Sequence, residues 1–314
     1  MKTIQKKSFK KVLRIIIITL TLYILLSFGI TKIVYDACFP RYDKEIQSVP
    51  LELAGMVEER HPVEFNSGKN VLQGYLYGDG RADGLVVVAP GFNAGADNYL
   101  WQIQSFLDYG FDVFAFDSTG SCRSEGDSAV GFPQELIDLD AALSFVEAEY
   151  VYPNIYIFGH SRGGYAACCI LGSGHRINAV VSVAGINSAM EAVMEPAVQH
   201  AGPVAYGNYH FLWLYQCMLF GSDITGICAD EQISGSGVPT MIVQGTNDTV
   251  VPMDSSSIYS HREEITSSAV EYYICDIPGQ DGHTDLLFDD DGTANDTLMN
   301  SINQFYSKNA GVSN

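Results

Sequence analysis

Ile155-Tyr156-Ile157-Phe158-Gly159-His160-Ser161-Arg162-Gly163-Gly164 carries an apolar strand, a glycine-flanked serine and the start of a helix in immediate succession. Residues 155–158 are β-branched and aromatic, and the apolar run 162–171 behind them reads as a helix. A serine at such a sharp strand-to-helix turn is held in a strained conformation that exposes its hydroxyl. The residues two before and two after it must then be small, and Gly159 and Gly163 meet that need, while Gly164 lets the helix pack closely. The plain alternative is a glycine-rich turn with an incidental serine. The strand before it and the helix after it argue against that.

On both sides of this turn strands and helices alternate. Strands are expected at 57–65 and 71–77, separated by the turn signal Asn66-Ser67-Gly68. Further strands are expected at 85–89, 111–116, 155–158, 179–184, 240–244 and 270–275. Helices are expected at 98–109, 134–150, 162–171, 254–265 and 293–306. This order predicts an α/β fold with a mainly parallel sheet covered by helices on both faces. The alternation breaks after Gly185, and residues 186–237 hold no convincing strand. They are read as a lid over the strand C-termini, where open α/β sheets bind ligands.

A serine hydroxyl is a weak nucleophile; it needs a base, and the base needs an orienting acid. Asp248 lies in Gly245-Thr246-Asn247-Asp248-Thr249-Val250-Val251-Pro252, just after the strand at 240–244. His283 follows the last strand in Gly279-Gln280-Asp281-Gly282-His283. Both loops should open on the edge where Ser161 sits, in the chain order serine, acid, histidine. Asp281 and Asp285 bracket the histidine, but neither follows the strand that supplies the acid. The run Asp289-Asp290-Asp291-Gly292 lacks the alternating ligands and late glutamate of a calcium loop and reads as a solvated helix start.

With these motifs the chain resembles the α/β-hydrolase superfamily over roughly residues 60–308, in particular its monoacylglycerol-lipase-like and serine-aminopeptidase-like esterases. The acid motif G-x-x-D-x-x-V-P matches at 245–252 and the histidine motif G-H-x-x-L at 282–286. The resemblance implies a catalytic triad of Ser161, Asp248 and His283, with His160 turned away from the serine. It also implies an oxyanion hole from the backbone N–H groups of Phe92 and Arg162. Here Pro90-Gly91-Phe92-Asn93 stands where the family has a His-Gly turn, and a backbone donor survives that change. Cys122, in Asp117-Ser118-Thr119-Gly120-Ser121-Cys122-Arg123-Ser124, stands where the family usually has glycine.

The lid holds a dense aromatic run that includes Phe211, Trp213 and Tyr215, read either as lid packing or as lining for an acyl group. The expected activity is hydrolysis of a small-molecule carboxylic ester, an apolar acyl ester by preference, with no metal and no cofactor. Serine peptidase, thioesterase or acyltransferase chemistry would use the same machinery. A surface binding module without turnover is the reading from another class.

Charge bounds the partners. Six of the 17 basic residues precede residue 15, leaving 11 basic and 37 acidic side chains in the remainder, a formal balance of −26 that disfavours nucleic acid. Residues 15–30 carry no charge, and 12–35 reach membrane-spanning length. The expected organisation is a basic cytoplasmic N-terminus at 1–11, a signal anchor at 12–35, a linker at 36–56 and a hydrolase domain at 57–314. No clear small-x-small cleavage site follows the apolar run, so an uncleaved single-pass anchor in the cell membrane is favoured over a cleaved signal. Keeping the basic residues inside puts the hydrolase domain outside. The seven cysteines show no CxxC pair and no zinc spacing, leaving disulfide status open.

Overall fold

Strands that are apolar along their whole length need cover on both faces, and this chain folds so as to provide it. The computed structural model describes residues 2–43 and 60–311, with side chains described from residue 9 onward. It begins with helix α1 (Lys2–Cys38). Then come β1 (Arg60–Ser67), β2 (Asn70–Tyr77), β3 (Gly84–Ala89), α2 (Leu100–Asp108), β4 (Asp112–Phe116), α3 (Phe132–Glu149), β5 (Asn154–His160), α4 (Arg162–Cys169) and β6 (Ala179–Val183). The lid follows as α5 (Ala189–Ala201), α6 (Tyr209–Phe220), α7 (Ser222–Thr225) and α8 (Ala229–Ser236). The chain closes with β7 (Thr240–Gly245), β8 (Val270–Cys275) and α9 (Asp296–Lys308).

The strands form one sheet in the order β1-β2-β4-β3-β5-β6-β7-β8. The β1–β2 and β2–β4 pairs are antiparallel and the rest parallel. Pleating sends alternate residues to opposite faces. Leu85, Val87 and Ala89 pack with α3, α4 and α8, whereas Val86 and Val88 pack with α2 and α9. In the β3–β5 register Ala89 lies opposite Gly159, which brings the turn after β3 beside the serine turn.

Two expected helices differ. The one expected at 98–109 opens as a 3-10 turn, Ala96–Tyr99, before α2 begins. The region 254–265 is no α-helix; it holds turns and one 3-10 turn, Ile258–His261. Its serines explain the departure. Ser257 Oγ accepts from the Ser260 N–H (3.1 Å), capping a 3-10 turn there, and Ser260 Oγ donates to the Ser255 carbonyl (2.7 Å), offering the backbone a non-helical alternative. Val57–Glu59 of the first expected strand, and residues 44–56 of the expected linker, lie outside the described residues.

Phe9–Cys38 is long and apolar enough to cross a membrane, and Ile15, Leu22, Leu25 and Leu26 are among its exposed side chains. Its last turns are different: Tyr35 is buried, and so is Phe39 just beyond. The chain then docks on the domain. Pro40 pairs with Ser128 and Tyr42 with Ser121, and Arg41 donates to the carbonyls of Cys122, Ser124 and Gly126. The seven cysteines are all free thiols.

Candidate active site

The turn from β5 into α4 has the geometry that its glycines require. Ser161 sits at φ 55° and ψ −115°, a strained conformation for a residue with a side chain. A Cβ on Gly159 would approach the Gly163 carbonyl oxygen to 2.2 Å, and one on Gly163 would approach the Ala89 carbonyl oxygen to 2.0 Å. Both neighbours are backbone and cannot yield, so only glycine fits either place.

The loops after β7 and β8 meet above this turn. His283 Nε2 lies 3.0 Å from Ser161 Oγ, and His283 Nδ1 lies 2.8 Å from Asp248 Oδ2. A carboxylate accepts, so Nδ1 carries the proton and Nε2 is free to receive one from the serine. The other oxygen of Asp248 accepts from the N–H groups of Val250 (2.9 Å) and Val251 (2.8 Å), and the side chain is fully buried. Asp281 is engaged elsewhere, accepting from Asn247 Nδ2 at 2.5 Å.

His160 is closer to the site than the expectation of a residue turned away. It lines the same cavity as Ser161, and its ring centroid is 5.0 Å from that of His283. Its Nε2 lies 3.2 Å from the His283 carbonyl oxygen, and its Nδ1 lies 3.0 Å from the Tyr99 hydroxyl. A carbonyl can only accept, so the His160 proton is on Nε2 and Nδ1 accepts from Tyr99. Tyr99 in turn accepts from the Gly91 N–H (2.8 Å). This chain of bonds joins the β3 turn, the serine turn and the histidine loop. Burial and the neighbouring His283 push His160 down to about 3, so it stays neutral at ordinary pH. No local motif marks Tyr99 for this task.

Phe92 lines the Ser161 cavity, whose volume is about 290 Å³. Arg162 begins α4, where a backbone N–H has no partner within the helix. Both residues thus lie beside Ser161. Their side chains also meet: the Arg162 guanidinium stands 5.5 Å from the centre of the Phe92 ring. That guanidinium is buried against Glu135 at 2.6 Å, and Ser118 Oγ donates to the same carboxylate at 2.7 Å. Burial pushes the Glu135 carboxyl up, against the pull of Arg162. Phe39 also packs edge-on against Phe92, centroids 5.5 Å apart. Cys122 adopts φ 46°, the left-handed conformation that a glycine would hold without strain.

The lid aromatics do not reach this cavity. Tyr215 is buried against Phe28 and Tyr35 of α1, and Phe211 meets Tyr23 of the same helix. Trp213 lines a second cavity, of about 660 Å³, between α5, α6 and the loop after β7. Helix α6 is apolar all round, so its faces divide between α1 and the lid, and residue type alone could not say which face goes where.

A model of the family described as serine aminopeptidase, S33, matches residues 80–210, a span that includes Phe92 and Ser161 and ends before Asp248 and His283. Among solved structures, the Pyrococcus furiosus esterase Pf2001 is similar, with a TM-score of 0.66 and 18% identity over 87% of this chain and 99% of that one. The α/β hydrolase GrgF from Penicillium sp. sh18 gives 0.59 at 19% identity, over 81% of this chain and 99% of its own. Est1E of Butyrivibrio proteoclasticus, solved with ferulic acid bound, gives 0.58 at 15% identity, over 79% of this chain and 98% of its own. These likenesses are of fold. No curated protein matches the sequence.

Proposed function

We propose that this chain, which has the α/β-hydrolase fold, cleaves carboxylic esters, apolar acyl esters in particular, through Ser161, His283 and Asp248. One observation carries the reading: a strained serine whose Oγ is 3.0 Å from an imidazole that is itself 2.8 Å from a buried carboxylate. Ser161 Oγ attacks the ester carbonyl carbon while His283 Nε2 takes its proton. The N–H groups of Phe92 and Arg162 hold the oxyanion of the tetrahedral intermediate. His283 then protonates the departing alcohol, leaving an acyl-enzyme. Water, deprotonated by the same nitrogen, releases the acid. Asp248 keeps the imidazole in the tautomer that both steps need.

The Pyrococcus furiosus structure named an esterase supports ester chemistry by fold. The serine aminopeptidase match favours a second reading, amide cleavage by the same steps. A panel of p-nitrophenyl esters beside aminoacyl p-nitroanilides separates the two. The decisive experiment is labelling with a fluorophosphonate. Wild-type protein should label and hydrolyse esters, and Ser161→Ala should do neither while keeping its fold. An unlabelled wild-type protein would point to a binding module instead.

In this reading residues 1–11 are cytoplasmic, 12–35 anchor the chain in the cell membrane, 36–56 connect, and the domain at 57–314 works on the outer face. The apolar helix and the basic residues that precede it support this arrangement.

A further inference from the structure

The turn after β3, Pro90-Gly91-Phe92-Asn93-Ala94, is partly open to solvent, and Asn93 is exposed in a left-handed conformation at φ 57°. Its two ends are tied to the domain. The Gly91 N–H donates to the Tyr99 hydroxyl at 2.8 Å, and the Ala94 carbonyl accepts from Ser121 Oγ at 3.1 Å. Between these ties Phe92 is held through its ring. The Arg162 guanidinium stands 5.5 Å from the ring centre, and the Phe39 ring meets it at 75° with centroids 5.5 Å apart. A cation near an aromatic face is attracted to it, more so away from water, and edge-to-face ring pairs have a preferred geometry.

Phe39 follows the last residue of α1, and it is buried. Its ring also meets Tyr35, at 4.8 Å, and Phe132 of α3, at 6.0 Å. Tyr35 is seated as closely: a Cβ on Gly131, at the start of α3, would come within 2.0 Å of the Tyr35 hydroxyl oxygen. One turn further along α3 is Glu135, the partner of Arg162. The foot of α1 therefore packs on Phe92 directly and on the helix that carries the carboxylate holding Arg162. Backbone bonds fix this seat. The Ala129 N–H donates to the Phe39 carbonyl (3.2 Å), the Tyr42 N–H to the Gly120 carbonyl (2.9 Å) and the Cys122 N–H to the Tyr42 carbonyl (2.8 Å). A tether needs only to be connected, and this one is docked.

We propose that Phe39, at the foot of α1, is a positioning residue for the oxyanion turn, so that the active site is complete only with α1 seated. The proposal rests on the esterase reading, with the Phe92 N–H as an oxyanion donor, and it adds the dependence of that site on α1. A displaced donor stabilises the tetrahedral intermediate less, while the ground-state ester binds as before. Loss of the Phe39 ring therefore falls on kcat and spares KM.

The test uses the full chain in detergent micelles. Turnover of p-nitrophenyl butyrate is expressed per serine titrated to completion with diethyl p-nitrophenyl phosphate. Phe39→Ala should lower kcat by about tenfold or more, with KM within about twofold of wild type. The inhibition constant of a trifluoromethyl ketone, whose hemiketal with the serine carries the oxyanion, should rise by the factor that kcat/KM loses. Phe39→Leu keeps most of the apolar volume without the ring edge and should lie between the two; it carries the test where the alanine variant does not fold. Tyr23→Ala, which touches Phe211 and not the foot of the helix, should leave kcat unchanged. Wild-type kcat per titrated serine in the Phe39 variants overturns the proposal, because a purely structural role lowers the number of sites and not the rate at each. A raised KM at constant kcat also overturns it, by making Phe39 a wall of the substrate pocket. So does a loss in Tyr23→Ala equal to that in Phe39→Ala. Wild-type protein that neither titrates nor turns over would overturn the esterase reading and the proposal with it, whereas an active wild type with unaffected Phe39 variants overturns the proposal alone.

Discussion

At Asp248 two backbone N–H groups and one imidazole share a single buried carboxylate, so the acid is held by the loop that carries it before any histidine arrives. The contrast with His160 is instructive. That residue is also buried and hydrogen-bonded, but burial and His283 push it down to about 3 from the ordinary value of 6.5. Above 6.5 neither the folded nor the unfolded chain protonates it, and its full contribution to stability is present. As pH falls below 6.5 the unfolded chain gains a proton that the folded protein refuses. Stability then declines by up to about 1.4 kcal/mol per pH unit from this group, until pH nears the folded value. His160→Gln removes that component, so urea midpoints of the variant should fall less steeply than wild type between about pH 6 and pH 4. Parallel acid limbs for the two proteins would mean that His160 takes up its proton without unfolding.

Among the elements, the β5–α4 turn is the least forgiving. Backbone atoms surround Gly159, with the Gly163 carbonyl carbon 2.5 Å from the position of a Cβ, so no rotamer change makes room. Gly159→Ala should destabilise the protein by about 1–3 kcal/mol and shift Ser161 away from His283, lowering kcat. Gly235 provides the control. It lies exposed in α8 with nothing within 4 Å of its Cβ position, and Gly235→Ala should stabilise by about 0.5–1 kcal/mol through helix propensity alone. Thermal unfolding of the two variants checks both signs; a neutral Gly159→Ala would show that the turn relaxes more easily than its contacts imply.

Over the whole molecule, α1 and the α/β domain are packed together as well as joined by the chain. Tyr35, Phe39, Met190, Met194, Leu212 and Tyr215 make one apolar cluster, and Phe39 reaches Phe92 at the rim of the Ser161 cavity. Helix α1 is thereby connected to the turn after β3 through two aromatic rings. Six basic residues before the apolar run, against only Lys32, Arg41 and Lys44 soon after it, bias the N-terminus inward. Protease added to intact cells should digest the domain, while undigested protein fractionates with membranes. Protection would put the domain inside, and a shortened chain in the medium would make residues 12–35 a cleaved signal.

Much of this was readable along the chain. Short apolar runs bounded by polar or turn residues, such as Leu85-Val86-Val87-Val88, mark buried strands here, because a strand covered on both faces tolerates no polar alternation. Gly159 and Gly163 betray a tight turn because the clash they avoid is local. Asp248 and His283 could be placed at strand ends by counting elements. The serine-rich run at 255–257 could not be told from a helix by periodicity, since its side-chain bonds to the backbone compete with the helical ones. The functions of Tyr99, Glu135 and Phe39 were invisible for a different reason: each acts through a partner more than twenty residues away, His160, Arg162 and Phe92 respectively. Likewise the aromatic content of 209–220 announces burial but no direction. Packing assigned Phe211 and Tyr215 to α1 and Trp213 to a separate cavity, because a helix apolar on every face takes its orientation from whatever surface folds against it.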